Sequence, residues 1–142
     1  MENKVRCRER VKKYGEVFTP EWVVKMMCDQ LEESSGEDPF SAEKTILEPS
    51  CGTGNFLVEI LSRKLARCSA DGECLTALKS IYGIDILPDN VAEAKKRMLQ
   101  IFVEHCGHTA EARRILDRNI LSGDALKLMA DLGAGGDWPG GG

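Results

Sequence analysis

A chain of 142 residues, 42% of them hydrophobic, has material for one domain with its own core. No apolar run reaches bilayer length and no signal peptide is evident, so a membrane protein is excluded and a cytoplasmic one expected. The six cysteines, at 7, 28, 51, 68, 74 and 106, form no CxxC pair and read as reduced thiols rather than a disulfide framework.

The net charge of −4 is uneven along the chain. Residues 1–13 carry Lys4, Arg6, Arg8, Arg10, Lys12 and Lys13 against Glu2 and Glu9, a basic N-terminal arm or a solvated helix through Val5 and Val11. From residue 14 to 132 the pattern predicts one α/β domain. Thr19 is placed to cap a helix beginning at Pro20, with Glu21 in its first turn and an apolar stripe of Trp22, Val23, Met26, Met27 and Leu31.

Thr45, Ile46 and Leu47 predict a buried strand, followed by the acidic Glu48 and by Pro49, which cannot donate a ladder hydrogen bond. Gly52 and Gly54 allow backbone angles that side chains forbid. From Asn55 a helix is expected, with Phe56, Leu57, Ile60, Leu61 and Leu65 at helical spacing. Its N-terminus, with unpaired N–H groups and the helix dipole behind them, would favour a carboxylate or phosphate. A turn-rich stretch over 68–73 leads to a short helix over Leu75 and Leu78.

SIYGIDIL, residues 80–87, predicts a second strand ending in Asp85, and Pro88 then opens a helix bearing Val91, Ala94, Met98, Leu99 and Phe102. RNILSGDAL, residues 118–126, predicts a third strand that ends in Gly123, Asp124 and Ala125. Three strand ends, each with a carboxylate, point to one shared cleft at the carboxyl edge of a parallel sheet. His105, Cys106 and His108 lack a fourth ligand and read as a polar helix end, not a metal site. Residues 133–142, GAGGDWPGGG, read as a flexible tail.

The glycine turn does not fit the dinucleotide fingerprint, because Leu57 stands where the third glycine belongs, and no Gly-Lys-Ser/Thr follows as a phosphate loop requires. What is present, acidic-x-x-x-Gly-x-Gly over Glu48–Gly54, resembles motif I of the class I methyltransferases that use S-adenosylmethionine. GEVFTP, residues 15–20, is similar to motif X of amino-methyltransferases whose cofactor motifs precede the catalytic one, the gamma arrangement. The order GEVFTP, LEPSCGTGNFL, YGIDILPDNV, NILSGDAL resembles the N-terminal part of adenine-specific DNA methyltransferases, including methylase portions of fused restriction-modification enzymes.

The resemblance implies a Rossmann-like class I methyltransferase fold, a three-layer αβα sandwich present here in part with a truncated parallel sheet. It also implies how S-adenosylmethionine would be held. Phe18, Thr19 and Pro20 would meet its amino-acid end; Glu48 would orient the ammonium; Pro49, Ser50, Cys51, Gly52, Thr53 and Gly54 would shape the loop beneath it. Asn55 and Phe56 would begin the helix facing it, Asp85 would bind the ribose diol, Ile86 would pack on the adenine, and Asp124 with Ala125 would complete the adenine pocket. Cys51 has no base nearby and reads as a small loop residue, not a nucleophile.

One part of the family pattern is missing: the chain has no Pro-Pro pair, whereas these enzymes carry Asn/Asp/Ser-Pro-Pro-Tyr/Phe after the fourth strand to hold and stack the flipped base. Asp137-Trp138-Pro139 is a poor imitation. No catalytic residue is therefore assigned. The expectation is a cofactor-binding part, inactive alone, that meets DNA in a complete enzyme and needs a catalytic half or self-associates through an uncovered sheet edge. The alternatives are a methyltransferase for RNA or protein, or a degenerate binding fragment without chemistry.

Overall fold

The computed structural model describes residues 19–140. Two stretches of strand, helix and strand share one parallel sheet. The elements in chain order are α1 (Glu21–Ser34), β1 (Ile46–Glu48), α2 (Asn55–Ala66), α3 (Asp71–Lys79), β2 (Ile81–Asp85), α4 (Pro88–Cys106), α5 (Thr109–Asn119), β3 (Ile120–Ser122) and α6 (Ala125–Gly133). The strand order is β1-β2-β3, with Glu48 opposite Gly83 and Asp85 opposite Ser122. This is a mixed α/β architecture compatible with part of a Rossmann-like fold.

Side-chain alternation divides the sheet into two faces. Ile81 and Ile120 are fully buried on one of them. Gly83 lies between them because a Cβ there would meet Leu57 Cδ1 at 2.9 Å and Cys51 Cβ at 3.3 Å. Helices α2 and α4 pack extensively on each other, and the buried Leu57, Leu61, Leu65, Val91, Ala94, Met98 and Phe102 form the core between them and this face. On the other face Leu47, Tyr82 and Leu121 are only half-buried.

The helix expected at Asn55 begins there, and the one expected at Pro88 has that proline in its first turn, where a missing N–H leaves no helical bond unmade. The first helix departs from expectation in two ways. It starts at Glu21 with Pro20 in the capping position, and Thr19 does not cap it. Its buried residues are Val24 and Cys28, whereas Trp22, Met26, Met27 and Leu31 of the expected stripe are exposed, Trp22 at 68%. The small pair lets α1 lie close to α2, and ion pairs from Arg63 to Asp29 and Glu32 and from Arg67 to Glu32 complete the contact, while Glu59 within α2 and Asp38 beyond α1 hold the two guanidinium groups in place.

Lys64, on α2, is fully buried. Its Nζ donates to the carbonyls of Ser41 at 2.6 Å and Lys44 at 2.7 Å, which fastens the segment entering β1 to α2. Beyond α6, in the stretch expected to be a flexible tail, Trp138 rests edge-on against Tyr82 with ring centroids 5.0 Å apart, and its Nε1 donates to the Arg118 carbonyl. The basic arm expected over 1–13 lies outside the described residues.

Candidate functional site

Because the three strands are parallel, their carboxyl ends lie along one edge: Glu48 ends β1 and Asp85 ends β2, whereas β3 stops at Ser122, short of the expected Gly123, Asp124 and Ala125, and Asp124 lies two residues beyond it. Beyond Glu48 the ladder continues for one more bond, from Cys51 N to Ile84 O, before the chain turns through the glycines into α2. Gly52 has φ +54° and Gly54 has φ +94°, both in the left-handed region. A Cβ at Gly52 would meet nothing within 4 Å, so open space lies above the loop. At Gly54 a Cβ would come within 3.0 Å of Ala94 Cβ and 3.1 Å of its Cα, so this glycine lets α4 approach the start of α2.

Asp85 is the centre of this loop. Only 7% exposed, its Oδ2 accepts from Gly52 N at 2.9 Å, and its Oδ1 accepts from Leu87 N at 2.9 Å and Asn90 Nδ2 at 3.2 Å. Three donors from three positions fix the carboxylate's plane, while lone-pair capacity on Oδ2 remains. Glu48 is half-buried and accepts from Ser50 N. Burial pushes its carboxyl above the usual range, with the Ser50 amide pulling the other way.

Cys51 is buried under the loop. Burial, then the charges of Asp85 and Glu48, push its thiol up to about 12, so it stays protonated and unreactive at neutral pH. Ile86, 56% exposed, projects from the end of β2 beside this carboxylate. Asp124 is exposed and caps α6 through Oδ1, accepting from Leu126 N at 3.0 Å and Lys127 N at 3.3 Å, with Ala125 as the first helical residue.

At the other side of the loop, Thr19 and Asn55 touch: Asn55 Nδ2 donates to Thr19 O at 2.6 Å. Pro20 is exposed, Phe56 packs half-buried against the core, and Phe18 lies outside the described residues. Two residues of the cleft escaped the sequence reading. Asn90 and Arg97, seven apart, both stand on the inward side of α4; Asn90 is fully buried and Arg97 half-buried. A polar residue recurring at seven-residue spacing within the stripe of Val91, Ala94, Met98 and Phe102 was the available signal.

Among the described residues no group of histidine, cysteine or carboxylate side chains is arranged to hold a metal; His108 pairs with Asp71. No described helix is long and apolar enough to cross a membrane.

The chain is 29% identical over 96 residues to the adenine-specific methyltransferase PglX of Streptomyces coelicolor, an alignment covering 62% of this chain and 8% of that protein. The chain thus corresponds to a small part of the length of that relative. No solved structure matches. The family model for N-6 DNA methylases matches residues 5–106, well over half of the sequence and all of the loop, strand and helix that form the Gly52–Asp85 junction. On that match, the chain belongs to the N-6 DNA methylase family.

Proposed function

We propose that this chain is the S-adenosylmethionine-binding part of a site-specific DNA adenine-N6 methyltransferase of class I fold, working in the cytoplasm in a restriction-modification system. The observation that carries the reading is the Asp85 carboxylate held at the Gly52 amide, at the parallel-sheet edge where Glu48 ends β1 and where Asp124, two residues past the end of β3, caps α6. The family membership supplies the reaction class, and the residues fit the cofactor. Open space above Gly52 admits a ligand to the backbone, and Glu48 has a carboxyl whose charged form burial disfavours. A ligand ammonium beside it would offset that cost.

When bound, S-adenosylmethionine would supply an electrophilic methyl group. Asp85 would accept the ribose hydroxyl protons, with Ile86 offering an apolar face to the adenine and Asp124 and Ala125 closing the far side. Pro49 to Gly54 would form the floor. Thr19, Pro20, Asn55 and Phe56 would stand at the methionine end. The chain would contribute methyl donor and orientation, while the base-holding groups would come from a part of the enzyme with a Pro-Pro motif. The edge of β1 facing away from β2 has no strand partner among the described residues. Either that catalytic part or a second copy would cover it.

Calorimetric titration of S-adenosylmethionine into the folded chain, with Asp85→Ala beside it, tests the reading. Saturable binding weakened at least about tenfold in the variant is expected, the size of losing a hydrogen bond to a charged group. Equal binding by both proteins would overturn the assignment of Asp85.

A further inference from the structure

The glycine loop is braced from a side that the cofactor reading leaves unused. Arg97 Nη1 donates to the Thr53 carbonyl at 2.7 Å and to Asn55 Oδ1 at 2.9 Å. Asn55 in turn donates through Nδ2 to the Thr19 carbonyl at 2.6 Å. One guanidinium group on α4 therefore connects the loop, the first residue of α2 and the backbone just ahead of α1. The bonds from Asn55 to Thr19 and from Arg97 to Thr53 span 36 and 44 residues of sequence.

The chemistry of the relay is directional. A carboxamide has one oxygen and one NH2, and only the oxygen can accept from a guanidinium. With Oδ1 turned to Arg97, Nδ2 is left to face Thr19. A charged donor on the oxygen also polarises the amide and strengthens the bond that its nitrogen makes. A lysine at 97 would keep the charge but present a single compact ammonium in place of the planar fork.

We infer that Arg97 is a positioning residue: it sets the wall of the cleft at Thr53 and, through Asn55, ties the chain at Thr19 to that wall as one unit. The inference rests on the proposed function for what the cleft binds; the relay itself consists of contacts within the protein. On the proposed placement of the cofactor, Thr19, Thr53 and Asn55 would face its amino-acid end, which Arg97 braces, whereas Asp85 and Ile86 would face its nucleoside. Removal of Arg97 is therefore selective, weakening ligands that fill both ends and sparing those that fill the Asp85 end alone.

The test compares the full chain with Arg97→Met and Arg97→Lys. Binding of S-adenosylmethionine and of adenosine is measured by calorimetry, and amide exchange at 21–24 and 52–58 is followed without ligand. Expected for Arg97→Met is S-adenosylmethionine binding weaker by about tenfold or more, with adenosine within about twofold of the wild type. Exchange is expected to rise at both segments, with partial rescue by Arg97→Lys. Equal loss of both ligands, or no loss of either, would overturn the inference. If the wild type binds neither ligand, the cofactor reading fails and the exchange arm decides alone: unchanged protection at both segments sinks the relay. Should Arg97→Met not fold, Asn55→Ala cuts only the second half, and must raise exchange at Val23 and Val24, whose amides bond to Pro20 O, for the relay to stand.

Discussion

Gly52 and Gly54 stand two residues apart in one loop, yet the structure gives them different reasons to be glycine. At both, an alanine would sit at positive φ, a cost of roughly 1–2 kcal/mol. At Gly54 its methyl would also press on the backbone of α4, because Ala94 Cα lies 3.1 Å from the added Cβ, and overpacking adds about 1–3 kcal/mol. Gly54→Ala should therefore destabilise the fold by about twice as much as Gly52→Ala or more, read as the difference between their urea midpoints. Indistinguishable midpoints would mean that α4 gives way without cost. Both glycines were legible in the sequence, as were Glu48, Asp85 and Asp124, because an acidic or glycine residue straight after an apolar run stands out. Arg97 and Asn90 were not. Their seven-residue spacing within the α4 stripe marks them as inward-facing, but their roles depend on which element packs against that side of α4, and the spacing does not say.

The helices following β1 and β2 were legible as elements, since long stripes at helical spacing with glycine or proline at their starts leave little choice of period. Helix α1 shows where that reasoning fails. Its large apolar residues suggested the inward side, but packing against α2 selected the small Val24 and Cys28. Two small side chains bury little area, at most about 3–5 kcal/mol on a transfer scale, so the Arg63 and Arg67 ion pairs matter more here than surface pairs usually do. Arg63 is 15% exposed in its side chain, reaches three carboxylates, and also donates to the Lys25 carbonyl. With Arg67 it lies over the Phe40 ring, each 5.7 Å from the centroid. Arg63→Lys should keep the charge, lose the fork and cost about 1–3 kcal/mol. In hydrogen exchange the loss should be concentrated in α1, with α2 and α4 protected as before. A uniform loss of protection would show that α1 is not a separable unit. Helices α5 and α6 escaped the reading of elements altogether; α5 is highly charged on its outer side, and α6 buries only Leu128.

At the scale of the whole molecule, buried titratable groups give the fold an alkaline signature of two opposing parts. Burial lowers the Lys64 amine from 10.5 to about 8, with Glu43 and Asp38 opposing. Between those values the unfolded chain holds a proton that the native one has released, so this group makes stability rise as pH climbs from about 8. The thiols act in the other direction. Burial raises Cys51 from 9.0 to about 12 and Cys68 to about 11, and it raises Cys28 and Cys106 as well. Above pH 9 the native state keeps protons that the unfolded chain loses, and stability falls. Several thiols outweigh one amine, so the melting temperature should rise from pH 8 to a maximum near 9 and then decline. Lys64→Met should abolish the rise and leave the decline, because methionine keeps the volume and has no proton to exchange. Melting curves of both proteins at half-unit steps decide it. A wild type that loses stability steadily from pH 8, in parallel with the variant, would mean that the Ser41 and Lys44 carbonyls hold Lys64 charged in the native state and that burial does not govern it.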